Sequence, residues 1–181
     1  MLLAIDTSTR QAGIALYDGE KGLIAEYNWH SANRHTEELL PTTAQMLDRA
    51  GITASQLTAV GVAIGPGSFT GLRVGLAAAK GLALAQGLKL VGVSTLDFTA
   101  YAHQLQARPV IALVQAGRGR ICWARYEHGP DGWAARVPYT LAAFAALAAA
   151  ITEPVVFVGE LSQADRHTLA GLLGPDRAAF L

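Results

Sequence analysis

An α/β fold of two repeated lobes is what the sequence predicts, and three observations carry the prediction. The chain has 181 residues and is 51% hydrophobic, which suits one ordinary core or two small lobes. Short strand-like runs alternate with longer helical stretches, so strand, helix, strand crossovers add parallel strands to a sheet. An opening pattern then recurs near the middle of the chain. LLAIDTSTRQAGIALYD and VIALVQAGRGRICWARYE are each an apolar strand, a small polar or glycine-rich turn and a second apolar strand. Laying Asp6 over Gln115 puts Gly13 over Cys122 and Tyr17 over Tyr126.

In chain order, LLAID, AGIALYD and LIAEYNW read as three consecutive antiparallel strands, separated by turn formers around STRQ and DGEKG. From Thr36 to Ala50 the residues Leu40, Thr43, Ala44 and Leu47 recur at helical spacing. Glu37 and Glu38 occupy the first turn, Gly51 is placed to cap the end, and Pro41 either opens the helix or bends it. TAVGVAIG is a short apolar strand, a glycine-bearing helix follows, and LKLVGVS is the next strand before a helix beginning near Thr95. The first lobe is expected to span 1–107 and the second 108–181. In the second lobe the repeated strands lead to an alanine-rich helix over about 140–151, the strand PVVFVGE and a last helix from Ser162.

Charge and cysteine use remove several function classes. Formal net charge is zero and no run of like charges occurs, so a strong electrostatic grip on nucleic acid by this chain alone is not expected. Cys122, the single cysteine, cannot form an intramolecular disulfide. The N-terminus reaches Asp6 before any signal-type apolar core develops, and the longest apolar run, LAAFAALAAAI, is about half of the ~20 residues that span a bilayer. The expected setting is therefore the cytoplasm, with no membrane association.

Two motifs carry chemistry. In AIDTST, Asp6 ends the first strand and the hydroxyls of Thr7, Ser8 and Thr9 follow. Two strand-turn-strand units, each leading a lobe, suggest the duplicated actin-like (ribonuclease H-like) architecture of actin, sugar kinases and DnaK-type ATPases. There this turn approaches nucleotide phosphates and the acid handles magnesium or water. The same residues are also ordinary turn and capping chemistry. The second motif, GPGSFTGLRVG, opens like a phosphate loop, but Gly71 is followed by Leu72 and Arg73 rather than Lys and Ser/Thr, so that pattern fails. What remains is a stripe of Gly67, Gly71 and Gly75 at four-residue spacing, with Ala79 next on the same face. Glycine inside a helix costs about 1 kcal/mol relative to alanine, so the stripe implies close approach of another backbone. That backbone is either a partner chain or the protein's own sheet, and Gly67 also suits the tight turn before the helix.

AIDTST, HTEELLP at 35–41 and GPGSFTGLRVG at 65–75 together resemble the TsaB (YeaZ) family, which is related to TsaD and glycoprotease-like proteins. The resemblance covers the first lobe and, more loosely, the second. It implies an actin-like fold with mixed sheets flanked by helices. It also implies a non-catalytic subunit that activates TsaD in forming threonylcarbamoyladenosine next to the tRNA anticodon. It further implies a TsaE-like ATPase in the complex, tRNA binding only there, and a homodimer when the chain is alone. The resemblance places the partner face on the glycine helix and the helix before it, with Leu40, Thr43, Leu47, Gly67, Gly71, Leu72, Gly75, Ala78 and Ala79 as its residues. Nucleotide, ATP or ADP with magnesium, is implied at Asp6, Thr7, Ser8 and Thr9 only at low affinity or in the complex.

Two departures and two competing classes qualify that picture. The family commonly has Asp-Ala-Arg where this chain has Gln115-Ala116-Gly117, so a second acid for magnesium is missing. Arg118 and Arg120 nearby could reach a phosphate or RNA, or be solvated strand-end residues. The chain also stops short of the family's usual C-terminal helical extension. A free-standing ATPase or small-molecule kinase built on Asp6 is the main competing class. A glycoprotease-type metallopeptidase is the other, but His30, His35, His103, His128 and His167 form no pair spaced for one helix face, so neither catalytic nor metal-ligating residues are expected.

Overall fold

The computed structural model describes residues 1–181 apart from Asn33, Asp131, Val137 and Pro175. Its chain divides into two compact units, Met1–Ser94 and Thr95–Leu181.

In the first unit, β1 (Leu2–Asp6), β2 (Gln11–Asp18) and β3 (Gly22–His30) form an antiparallel meander. Helix α1 (His35–Arg49) and a 3₁₀ turn at Ala54–Gln56 lead to β4 (Ala59–Ala63), and α2 (Phe69–Gln86) leads to β5 (Lys89–Val93). β4 joins β1 and β5 joins β4, both in parallel, which gives the order β3-β2-β1-β4-β5. Alternation along β1 and β2 turns Leu3, Ile5, Ile14 and Leu16 to one face, where they meet Val60, Val62, Leu39, Met46 and Ala79. Pro41 lies inside α1 rather than opening it. The Ser68 hydroxyl caps α2 by accepting from the Gly71 amide at 3.2 Å, and Gly87, with φ of 64°, ends it.

The second unit starts with α3 (Thr95–Tyr101), which falls within the 1–107 expected for the first lobe but packs on strands of this unit. Then come β6 (Val110–Gly117), β7 (Arg120–Gly129), β8 (Gly132–Ala135), β9 (Thr140–Ala143), α4 (Phe144–Ala150), β10 (Val155–Gly159), α5 (Gln163–Leu173) and β11 (Ala178–Phe180). The sheet order is β11-β10-β6-β7-β8, with β9 also pairing with β7. Ile111 and Leu113 of β6 face Leu147 and Leu169, while Ala112 and Val114 face Leu96 and Ala100. Helices on both sides thus account for the unbroken apolar run of this strand.

One sequence expectation is corrected here. Residues 140–143 form a strand, and the alanine-rich helix begins only at Phe144. The ten-residue β7 is longer than β8, so its Arg120–Trp123 end needs its own partner, and pairing there overrides the helical propensity of alanine. No helix among the described residues is long and apolar enough to cross a membrane.

Candidate functional site

The turn that follows β1 is occupied by the protein itself. The Asp6 carboxylate accepts a hydrogen bond from the Ser8 amide at 2.8 Å, and burial pushes this carboxyl above its ordinary pKa, with Ser8 and the nearby His35 opposing the shift. The Thr7 hydroxyl donates to the Gly71 carbonyl at 2.8 Å, and the Ser8 carbonyl accepts from the Ser68 amide at 2.6 Å. Thr7 and Ser8 are fully buried, and the Ser8 hydroxyl has no hydrogen-bond partner. Thr9 is half-buried, and its hydroxyl turns back to Gln11. The four residues are together, as read from the sequence, but the hydroxyl of Thr7 and the amide of Ser8 are already engaged inside the chain.

The glycine stripe explains why. A Cβ on Gly67 would overlap the Ser8 carbonyl, one on Gly71 the Thr7 carbonyl, and one on Gly75 the Thr7 hydroxyl. Gly71, Gly75 and Ala79 are buried. Of the two close approaches the stripe allowed, the structure has the internal one: it seats α2 on β1 and its turn. This corrects the assignment of Gly67, Gly71, Gly75 and Ala79 to a partner face, because Gly67 and Gly71 lie against the backbone of Ser8 and Thr7, Gly75 against the Thr7 side chain, and Ala79 in the core. Thr43 is corrected likewise. It is buried, and its hydroxyl donates to the Leu39 carbonyl at 2.8 Å.

The outward side of the same helix pair carries a different surface. An open groove of about 710 Å³ runs between α1 and α2, with Leu39 and Leu40 from one helix and Val74, Ala78 and Leu82 from the other. Leu40 is 54% exposed, and Leu47, Leu72 and Ala78 are half-buried. Arg73 also lines the groove, its guanidinium 5.4 Å from the centre of the exposed Phe69 ring. Gly81 is there too, with nothing within 4 Å of where a Cβ would sit. Reading by sequence missed Arg73, Ala77 and Gly81. Their four-residue spacing was available as a second row on α2, offset from the glycine stripe and small at Ala77 and Gly81.

His35, the first residue of α1, is 5% exposed and joins the helix to the turn. A carbonyl only accepts, so the ring donates from Nε2 to the Thr9 carbonyl at 3.0 Å; the neutral ring then accepts at Nδ1 from the Ser31 hydroxyl, also at 3.0 Å. In the second unit, Gln115 fills the place of an acid with an amide. Its Nε2 donates to Asp165 at 3.0 Å, and its backbone amide donates to the Glu160 carboxylate at 3.2 Å. Arg118 and Gly119 form the β6–β7 hairpin tip with φ of 55° and 69°, and Arg118 and Arg120 are exposed. Among the described residues no three His, Cys, Asp or Glu side chains gather where they could hold a metal ion.

Comparison with known proteins places these features in context. The family profile described as TsaD, tRNA N6-adenosine threonylcarbamoyltransferase, matches residues 28–171. The tRNA threonylcarbamoyladenosine biosynthesis protein TsaB of Escherichia coli (strain K12) is 35% identical over 133 residues, covering 72% of this chain and 57% of the relative. Its Haemophilus influenzae counterpart is 37% identical over 127 residues, covering 68% and 52%. The chain thus spans little more than half the length of these curated relatives. Among solved structures, YeaZ from Pseudomonas aeruginosa superposes with a TM-score of 0.68 at 29% identity, covering 77% of this chain and 65% of that one. A second Pseudomonas aeruginosa protein, described as similar to peptidase YEAZ, gives 0.79 at 26% identity, covering 99% and 82%. The ethanolamine utilization protein EutJ of Carboxydothermus hydrogenoformans, at 15% identity and a TM-score of 0.55 over 98% of this chain and 83% of that one, shares the actin-like fold alone.

Proposed function

The chain belongs to the TsaB (YeaZ) family, and from that premise we propose that it is a non-catalytic partner subunit. It docks on a TsaD-type catalytic subunit and activates threonylcarbamoyl transfer to the adenosine next to the tRNA anticodon. The single observation that carries the reading is the open apolar groove between α1 and α2, where Leu40 and Ala77 lie exposed although both helices are otherwise well seated. Exposed apolar grooves between helices suit an amphipathic helix of a partner. When alone, the chain pairs with a second copy through the same face. A TsaE-like ATPase completes the complex in the cytoplasm, and tRNA is reached only there, in keeping with zero net charge.

The geometry of the turn supports the reading that the chain has no activity of its own. Thr7 donates inward and the Ser8 amide is held by Asp6, while Gln115 brings no charge for magnesium. ATP or ADP with magnesium is then held weakly, or only in the assembled complex.

Co-purification with the cognate TsaD-type subunit, followed by a tRNA modification assay with and without this chain, tests the proposal. The expected result is a stable complex, modification that depends on this chain, and loss of both in Leu40→Arg with the variant still folded. Full modification by the catalytic subunit alone would overturn it.

A further inference from the structure

Both walls of the groove rest on one short turn. Helix α2 is seated on Thr7 and Ser8: the Thr7 hydroxyl donates to Gly71, the Ser68 amide donates to Ser8, and the three glycines remove every side chain that would hold the helix away. Helix α1 is tied to the next two residues. The Ser31 amide donates to the Arg10 carbonyl at 2.8 Å, and His35 donates to the Thr9 carbonyl. Arg34, at the N-cap of α1, makes no side-chain capping bond, so the first turn of the helix lacks the usual local lock. Its amide instead donates to the Ser31 hydroxyl at 3.2 Å, the same hydroxyl that meets His35. Thr36, Leu39 and Leu40, on the next turn, line the groove.

We propose that His35 is a positioning residue for partner docking: it fixes the first turn of α1 against the Thr7–Arg10 turn that also seats α2, and so sets the spacing of the groove walls. The proposal rests on the docking reading given above. His35 itself is buried and does not touch a partner. A rigid ring suits the task because its two nitrogens point in opposite directions, one to the turn and one to Ser31, and a flexible side chain would not hold both. Among the described residues, losing the bond to Thr9 leaves the start of α1 joined to the turn through Ser31, while the Trp29 Nε1 bond to Glu38 at 3.0 Å still holds it to β3. The helix start then keeps its place on β3 but loses its fixed distance from the turn, and a partner must pay the cost of restoring it on binding.

Two replacements of similar polarity separate the two bonds. His35→Gln places an amide nitrogen near the Nε2 position and reaches Thr9, whereas His35→Asn is shorter and reaches only Ser31. Affinity for the cognate TsaD-type subunit is measured by calorimetry alongside circular dichroism melting, with Leu40→Arg as the direct control. The Gln variant is expected to bind nearly as the native chain does and the Asn variant about tenfold more weakly, with both folded at the assay temperature. If Gln and Asn bind alike while Leu40→Arg loses binding, the positioning role is wrong and the docking face stands. If Leu40→Arg binds as the native chain does, the docking face itself fails and this role falls with it. Should the Asn variant not fold, His35→Phe keeps the volume of the buried ring and removes both bonds. A folded Phe variant that binds about tenfold more weakly supports the role, and one that binds as the native chain does overturns it.

Discussion

The Thr7 hydroxyl donates to the Gly71 carbonyl at 2.8 Å, and a methyl group on Gly71 would overlap the Thr7 carbonyl oxygen. Helix and strand-end turn are in direct backbone contact at this point. Two effects of Gly71→Ala therefore compete. Helix propensity favours alanine by about 1 kcal/mol. Overpacking against a backbone that cannot rotate away opposes it, typically at about 1–3 kcal/mol. We expect the second to win, so that Gly71→Ala melts earlier than the native chain by circular dichroism. A variant melting at or above the native temperature would show that α2 can lift from the turn without cost.

Gly81, nearly three turns further along α2, should behave in the opposite sense. Nothing lies within 4 Å of its would-be Cβ, so Gly81→Ala gains helix propensity with no clash and should stabilise the isolated chain by up to about 1 kcal/mol. Its position beside Leu82 in the groove makes the added methyl an obstacle to a closely approaching helix, which should weaken docking roughly tenfold. Paired melting and calorimetry on one preparation check both signs. Higher stability with unchanged docking would remove Gly81 from the contact.

These two glycines mark where sequence reading ends. The spacing of Gly67, Gly71 and Gly75 announces a close approach, but spacing carries no direction: the same stripe serves an internal seat or an external partner. Only the phase of α2 against β1 decides, and that phase is fixed by which residues of β4 and α1 fill the rest of the core. The fold itself was more legible. Period-two runs and the strand-turn-strand repeat depend on local pattern, so β1 to β7 and the parallel crossovers could be read directly. β8, β9 and β11 could not, because GWAA, TLAA and AAF are short and alanine-rich and become strands only through pairing with β7 and β10. His35 directly precedes the helix read from Thr36, but its tie to Thr9 spans 26 residues and has no local signature.

The occupied turn leads to an expectation about nucleotide. A phosphate approaching Thr7–Thr9 must displace the Asp6–Ser8 bond or the Thr7–Gly71 bond, and each loss offsets part of what the new contact provides. The isolated chain should therefore show only weak ATP or ADP binding in calorimetry, with or without magnesium, and no turnover above background. Tight, magnesium-dependent binding accompanied by hydrolysis that Asp6→Ala abolishes would instead favour a free-standing ATPase.

Asp6 also gives stability a pH dependence whose sign can be worked out. Burial raises its pKa in the folded chain, with hydrogen bonding from Ser8 only partly opposing this. Between the ordinary carboxylate range and the raised value, the folded chain holds more protons than the unfolded one, so stability from this residue declines as pH rises through that window. Below the window both states are protonated and the penalty vanishes. Asp6→Asn keeps an oxygen for the Ser8 amide but cannot ionise, so the penalty should be absent at every pH. Melting temperatures followed from about pH 3 to about pH 7 should show the Asn variant gaining on the native chain as the pH rises through this window. If the two curves run parallel across the whole range, burial does not perturb Asp6, and the carboxylate sits in water or against a cation.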